Sequence, residues 1–228
     1  MIEMHDVCKV YSNGVEALRG VDVKIDQGEF VYVVGPSGAG KSTFIKLMYR
    51  EEQATSGIIL INGVNIKRVR DWKIPFLRRT IGIVFQDYKL LPNMTAYENV
   101  AFAMEAIEET PRKIERRVQE VLELVGLHDR MHAYPRQLSG GEQQRVSIAR
   151  AIVNNPKFII ADEPTGNLDP ENSWDIMYLL EEINARGTTI VMATHDKEIV
   201  NTMRKRVLQV ERGTIVRDQE QGEYIYED

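Results

Sequence analysis

Cysteine is nearly absent: the 228 residues include one, Cys8. That excludes an internal disulfide and a zinc site built on thiolates, and the expectation for Cys8 is a small buried residue in a reducing compartment. Long apolar runs are missing too. None reaches the ~18 residues a spanning helix needs, so any membrane association has to come through a partner. The opening stretch MIEMHDVCKVY lacks the basic and apolar regions of a secretory leader. Positive charge is not in excess, since the net charge is −5 with both signs mixed along the chain. Without a basic field, no nucleic-acid partner is expected, and the basic runs KRVRDWK (67–73) and RKIERR (112–117) read as solvated faces. Internal repeats and low-complexity linkers are likewise lacking. What remains is ordinary globular composition, 43% hydrophobic and 28% charged, long enough to bury a sizeable core as one large domain or a domain with a subdomain.

The pattern divides the chain. Residues 1–34 suggest strands broken by turns at Ser12-Asn13-Gly14 and Asp26-Gln27-Gly28, and SGIILING (56–63) and IGIVFQ (81–86) suggest two more. From about Asp87 to Asn155 the signals are helical. In TPRKIERRVQEVLELVGL, Thr110 can cap, Pro111 suits the first turn, Ile114, Val118, Val121, Leu122 and Val125 form an apolar face, and Gly126 stops the helix. Strands return at KFIIADE (157–163) and TTIVMATHD (188–196), with a helix over roughly 171–185 between them. VLQVERGTIV reads as a hairpin turning near Gly213, and the acidic tail DQEQGEYIYED (218–228) is expected to be loosely held. This is an α/β nucleotide-binding core interrupted by a helical insert.

GPSGAGKST (35–43) carries the first chemistry. A glycine-rich turn is the plain alternative, but Gly35, Gly40, Lys41 and Ser42 fit G-x-x-x-x-G-K-[ST] between an apolar strand and a helix. Glycines let successive N–H groups turn inward at a helix N-terminus. Lys41 reaches the β and γ phosphates, and Ser42 offers its hydroxyl to Mg²⁺. In FIIADE, Asp162 and Glu163 end an apolar strand, where a parallel sheet presents its functional groups. Asp162 suits Mg²⁺ and Glu163 suits a general base acting on the attacking water. LSGGEQQRVSIARAIV (138–153) opens on a capping box, Ser139 with Glu142, ahead of an apolar face made by Val146, Ala149 and Val153. Two glycines in a first turn cost about 1 kcal/mol each relative to alanine, and they make sense where bare N–H groups must approach an anion. The chain already has one phosphate site, so the second suggests a phosphate held by another copy.

Taken together, these motifs resemble the ABC-type ATPases over nearly the whole chain. The resemblance implies a RecA-like mixed-sheet core, an N-terminal antiparallel β subdomain and an inserted α-helical subdomain. The expected boundaries are a single domain over 1–228 with the core at about 1–86 and 156–228 and the insert at about 87–155. It implies ATP and Mg²⁺ as ligands and a head-to-tail homodimer formed with ATP. In that dimer Ser139, Gly140, Gly141 and Glu142 of one copy would close over ATP held by Gly35, Pro36, Ser37, Gly38, Ala39, Gly40, Lys41, Ser42 and Thr43 of the other. By the same resemblance Gln86 contacts Mg²⁺ and water, Asp169 of GNLD crosses the dimer interface, His195 contacts the γ-phosphate, and Tyr11 stacks on adenine. Taken alone, His195 would more often be structural, and a lone Tyr such as Tyr11 is just as often packing.

RRTIGIVFQDYKLLPNMTAYENVAF, ADEPTGNLDPENS and GTTIVMATHD look like the branch that holds lipoprotein-release, macrolide-efflux and cell-division ATPases. Asp87 directly after Gln86, and YENVA (97–101), lean towards the cell-division members. That likeness implies an integral membrane permease-like subunit, a peptidoglycan hydrolase controlled through it, and a place at the cytoplasmic face of the division septum. An exporter subunit of the same branch would share every catalytic residue. Leu90, Leu91, Met94 and Tyr97 either pack the insert or form the apolar patch that receives the permease.

Overall fold

The computed structural model of the chain describes residues 1–224. In chain order it contains β1 (Ile2–Val10), β2 (Glu16–Ile25), β3 (Phe30–Val34), α1 (Lys41–Met48), β4 (Ser56–Ile61), β5 (Val64–Asn65), α2 (Ile74–Arg78) and β6 (Ile81–Val84). There follow α3 (Ala96–Glu105), α4 (Pro111–Leu124), α5 (Gly140–Ile152), β7 (Phe158–Asp162), α6 (Pro170–Ala185), β8 (Thr189–Ala193), α7 (Lys197–Met203), β9 (Arg206–Glu211) and β10 (Thr214–Gln219). The chain groups into two compact units, one made of 1–78 with 189–228, the other of 79–188. No helix among the described residues is long and apolar enough to cross a membrane.

The first unit holds an antiparallel sheet, β2-β1-β4-β5, and the strands β10-β9-β3-β8. β3 runs parallel to both β8 and β9, and FVYVV is buried at every residue, which is why it reads as an unbroken apolar run. α1 adds Phe44, Leu47 and Met48 to this core. β1 begins with simple alternation, Ile2 and Met4 buried, then breaks it. Asp6 takes a left-handed φ of 48° and the pairing with β2 shifts register between Met4 and Val7, so Val7 and Lys9 become the inward residues. Cys8 therefore falls on the other face. It is half-buried rather than buried, and its Sγ accepts from the Gly20 N–H at 3.1 Å.

The hairpin at Gly213 forms as expected, β9 with β10. The acidic tail differs from expectation. Asp218 belongs to β10 and accepts a two-pronged contact from Arg206 (2.8 and 2.7 Å), while Tyr224 is 6% exposed with its N–H donating to Asn201 Oδ1 at 2.6 Å. A buried aromatic ring outweighs the tail's acidic composition; 225–228 lie outside the described residues.

The second unit pairs β6 with β7 in parallel and packs α3, α4, α5 and α6 around Val100, Met104, Val118, Leu122, Val146, Ile160 and Leu180. The expected face of α4 is buried and Gly126 follows it at φ 72°. Thr110 holds the N-cap position of α4 but its hydroxyl caps nothing: its own backbone carbonyl accepts from the Lys113 N–H at 3.0 Å, the donor that the side chain would have served.

Candidate functional site

In the first unit, β3 delivers the phosphate-type loop and β8 delivers His195. Val33 pairs with Ala193, so Gly35 and His195, each two residues further on, leave the strands at one edge. Two of the loop's glycines are sterically required. Gly35 has φ 144° and a Cβ there would overlap the Val210 carbonyl; Gly40, at φ 111°, would overlap that of Ala17. The Gly213 N–H also holds the Ala39 carbonyl at 2.9 Å. A loop pressed this closely by backbone keeps its shape without a ligand, and the N-terminal amides of α1 have no intrahelical acceptors. Lys41 Nζ curls over the loop, donating to the carbonyls of Gly35 (2.7 Å) and Pro36 (2.9 Å). Gly38 faces open space, Pro36 is half-buried, and Ser37 and Ser42 are exposed. Thr43 is buried, its hydroxyl 3.1 Å from that of Tyr11. One face of the Tyr11 ring carries Lys9 Nζ at 4.7 Å from its centre. His195 is exposed between β8 and α7.

In the second unit the same logic repeats. Val84 pairs with Ala161, so Gln86 and the Asp162-Glu163 pair emerge at one edge of β6–β7. Glu163 adopts φ 46°, and its carbonyl accepts from the Gly166 N–H at 3.0 Å. Gln86 is exposed and paired to Asn167: Asn167 Nδ2 donates to the Gln86 carbonyl (3.0 Å), and Gln86 Nε2 lies 3.5 Å from Asn167 Oδ1. Asp169 caps α6, accepting from the Asn172 amide nitrogen (3.1 Å) and from Asn172 Nδ2 (2.6 Å). These bonds hold its carboxyl below the usual aspartate pKa. The α5 capping box is complete: Glu142 N–H to Ser139 Oγ at 3.2 Å and Ser139 N–H to Glu142 Oε2 at 2.8 Å. Ser139 uses an acceptor lone pair here, so its hydroxyl hydrogen can still be donated. The other oxygen of Glu142 pairs with Arg130 Nε at 3.3 Å.

The structure thus brings Gln86, the carboxylate pair, Asp169 and the glycines of α5 into one unit, and the loop, Tyr11 and His195 into the other. It also shows residues that the motifs did not point to. Asn167 lies inside GNLD but its partner Gln86 is 81 positions away. Gln144, fully buried, donates to the carbonyl of Pro164 at 2.7 Å, directly after Glu163. Asn172 touches Gly141, where a Cβ would overlap its Oδ1. An Asn three residues after a helix-capping Asp was the only available signal for Asn172.

That contact makes a test of packing. Alanine for a helical glycine ordinarily stabilises by about 1 kcal/mol. Overpacking costs about 1–3 kcal/mol, and Asn172 cannot retreat without leaving Asp169. Gly141→Ala is therefore expected to lower the melting temperature by a few degrees, roughly 2–4 °C per kcal/mol at this size, with Asn172→Ala restoring it. A higher melting temperature in the single variant would show that the contact yields freely.

A match to the family model described as ABC transporter spans residues 18–166, and the chain belongs to that family. It is an ABC-type ATPase with the fold of an ABC cassette: a solved dimeric ATP-binding cassette in a post-hydrolysis state with ADP and Pi superposes with a TM-score of 0.88 at 35% identity, covering 98% of this chain and 100% of that one. Within the family it is similar to the cell division ATP-binding protein FtsE of Bacillus subtilis, 65% identical over 98% of both chains. The FtsE of Streptococcus pneumoniae is 60% identical over 100% of this chain and 99% of its own.

Proposed function

We propose that this chain is the ATP-hydrolysing subunit of an FtsE/FtsX-type complex, working as a single ATPase domain bound to a permease-like integral membrane subunit at the cytoplasmic face of the division septum. In this reading, ATP-driven closure of a head-to-tail homodimer is passed to the membrane partner, which activates a peptidoglycan hydrolase on the other side. The observation that carries it is identity of 65% along 98% of both chains with a protein named for cell division.

The roles follow the chemistry of each group. The preshaped loop receives the phosphates on its amides, with Lys41 moving from the Gly35 and Pro36 carbonyls to phosphate oxygens. Mg²⁺ supplies charge neutralisation when bound, and Ser42, Asp162 and Gln86 are its candidate ligands. No group of three His, Cys, Asp or Glu side chains among the described residues could cage a metal, which suits an ion held largely by nucleotide oxygens and water. Glu163 takes a proton from the attacking water, His195 contacts the γ-phosphate, and Tyr11 stacks on adenine. Ser139, Gly140 and Gly141, oriented by Glu142, read the phosphate held by the other copy, with Asp169 across the interface.

The docking surface for the permease is the segment after Gln86. Asn99, 0% exposed, ties its backbone: Nδ2 donates to the carbonyls of Leu91 (3.1 Å), Met94 (2.9 Å) and Thr95 (3.0 Å), and Oδ1 accepts from the Leu91 N–H (2.7 Å). With the backbone held from within, the side chains of Leu90, Leu91, Met94 and Tyr97 remain half-buried and available to an apolar helix. Leu91→Glu is expected to keep fold and ATP affinity but to recover at least about tenfold less permease in co-precipitation, a loss of about 1.4 kcal/mol or more. Full recovery by a folded variant would move the docking site elsewhere.

A further inference from the structure

Beyond Gln86 and Asp87, two consecutive residues, Tyr88 and Lys89, take left-handed backbone conformations (φ 58° and 50°). Neither is Gly, Asn or Asp, the types that tolerate this region, so the pair persists only where the surroundings over-determine it. The hold comes from α5. Arg150 donates through Nη2 to the Tyr88 carbonyl at 2.8 Å and through Nη1 to the Lys89 carbonyl at 2.6 Å. One planar guanidinium grips both strained peptides, which a lysine ammonium, a point donor on a flexible stem, matches poorly. Burial lowers the Arg150 pKa from its ordinary value, and no carboxylate among the described residues ion-pairs with it, so its partners are these carbonyls.

Tyr88 lengthens the link. A Cβ on Gly140 would stand 3.0 Å from the Tyr88 hydroxyl, so the residue reaches from Arg150, in the last turn of α5, to Gly140 at its first position. The segment that follows Gln86 is thereby bonded to the last turn of α5 and lies close to its first turn, the one that bears Ser139, Gly140 and Gly141.

We propose that Arg150 is a positioning residue that locks the segment bearing Gln86 onto α5, so that the glutamine and the Ser139–Gly141 motif move as one body. This rests on the roles proposed above for those residues. The test pairs Arg150→Gln and Arg150→Lys with a Gln86→Ala background. Arg150→Gln should lower kcat about tenfold while KM for ATP and ATP affinity stay within about twofold, and Arg150→Lys should recover part of the loss. On the Gln86→Ala background the same change should cost less than about twofold, since a residue acting through Gln86 has little left to position. Hydrogen exchange should quicken at amides 87–91 in Arg150→Gln and stay unchanged in the middle of α5. Equal losses on both backgrounds, a matching loss of ATP affinity, or unchanged exchange at 87–91 would overturn the proposal. Absence of turnover in the unsubstituted chain would sink the ATPase role of Gln86 instead, and exchange at 87–91 would still decide whether the clamp exists.

Discussion

Lys41→Ala is expected to weaken ATP binding by about 100-fold or more and to bring turnover to background. The ammonium is the loop's side-chain cation, and charge-assisted hydrogen bonds to phosphate contribute roughly 1.5–3 kcal/mol each; two of them lost is a factor of 10² to 10⁴. The variant should still fold. Loop shape depends on the backbone contacts at Gly35 and Gly40, the Gly213–Ala39 bond and the buried Phe44 and Leu47 of α1, none of which involves the Lys41 side chain. Titration calorimetry with ATP and Mg²⁺, beside a thermal melt, separates lost affinity from lost structure. Unchanged affinity and turnover would remove the loop from its assigned role.

The loop was legible because anion binding by backbone amides demands a residue pattern that packing does not. Gly35 and Gly40 cannot be replaced without overlap with carbonyl oxygens, and that constraint leaves its mark in one short stretch of sequence. The same holds for β3 and β8: strands buried on both faces must be apolar throughout, so FVYVV and TIVMA announce themselves. The capping box at Ser139 and Glu142 was legible for a similar reason, since both partners lie within one turn.

What escaped has a physical cause in each case. The bulge at Asp6 reverses the alternation of β1, and nothing in IEMHDVCKV marks Asp6 as left-handed. Tyr88 and Lys89 are equally unmarked, because the side chain that bonds their carbonyls, Arg150, is 62 and 61 positions away. Gln144 and Asn172 read as ordinary helix residues until α5 and α6 are placed, when one meets the Pro164 carbonyl and the other meets Gly141. Local motifs therefore exposed the groups proposed to touch nucleotide, and the groups that orient them became visible only in three dimensions.

Glu163→Gln is expected to bind ATP within a few-fold of the unsubstituted affinity, to hydrolyse it about 10²- to 10⁴-fold more slowly, and to accumulate as an ATP-dependent dimer. The range is that of a single positioned general base. The amide keeps the size and hydrogen-bonding reach of the carboxylate but cannot take a proton from water at neutral pH. Its place should not change. The turn after β7 is held through its backbone, by the Gly166 N–H on the Glu163 carbonyl and by Gln144 on the Pro164 carbonyl, and neither bond involves the Glu163 side chain. Removing one negative charge where two phosphate-rich surfaces must meet also favours closure, so the blocked chain should dimerise with ATP more readily than the parent. Light scattering with ATP, and again with ADP, reads the dimer, while phosphate release reads turnover. If Glu163→Gln released phosphate at the parental rate, the proton would be going elsewhere and His195, the other titratable group proposed at the γ-phosphate, would be the next residue to replace.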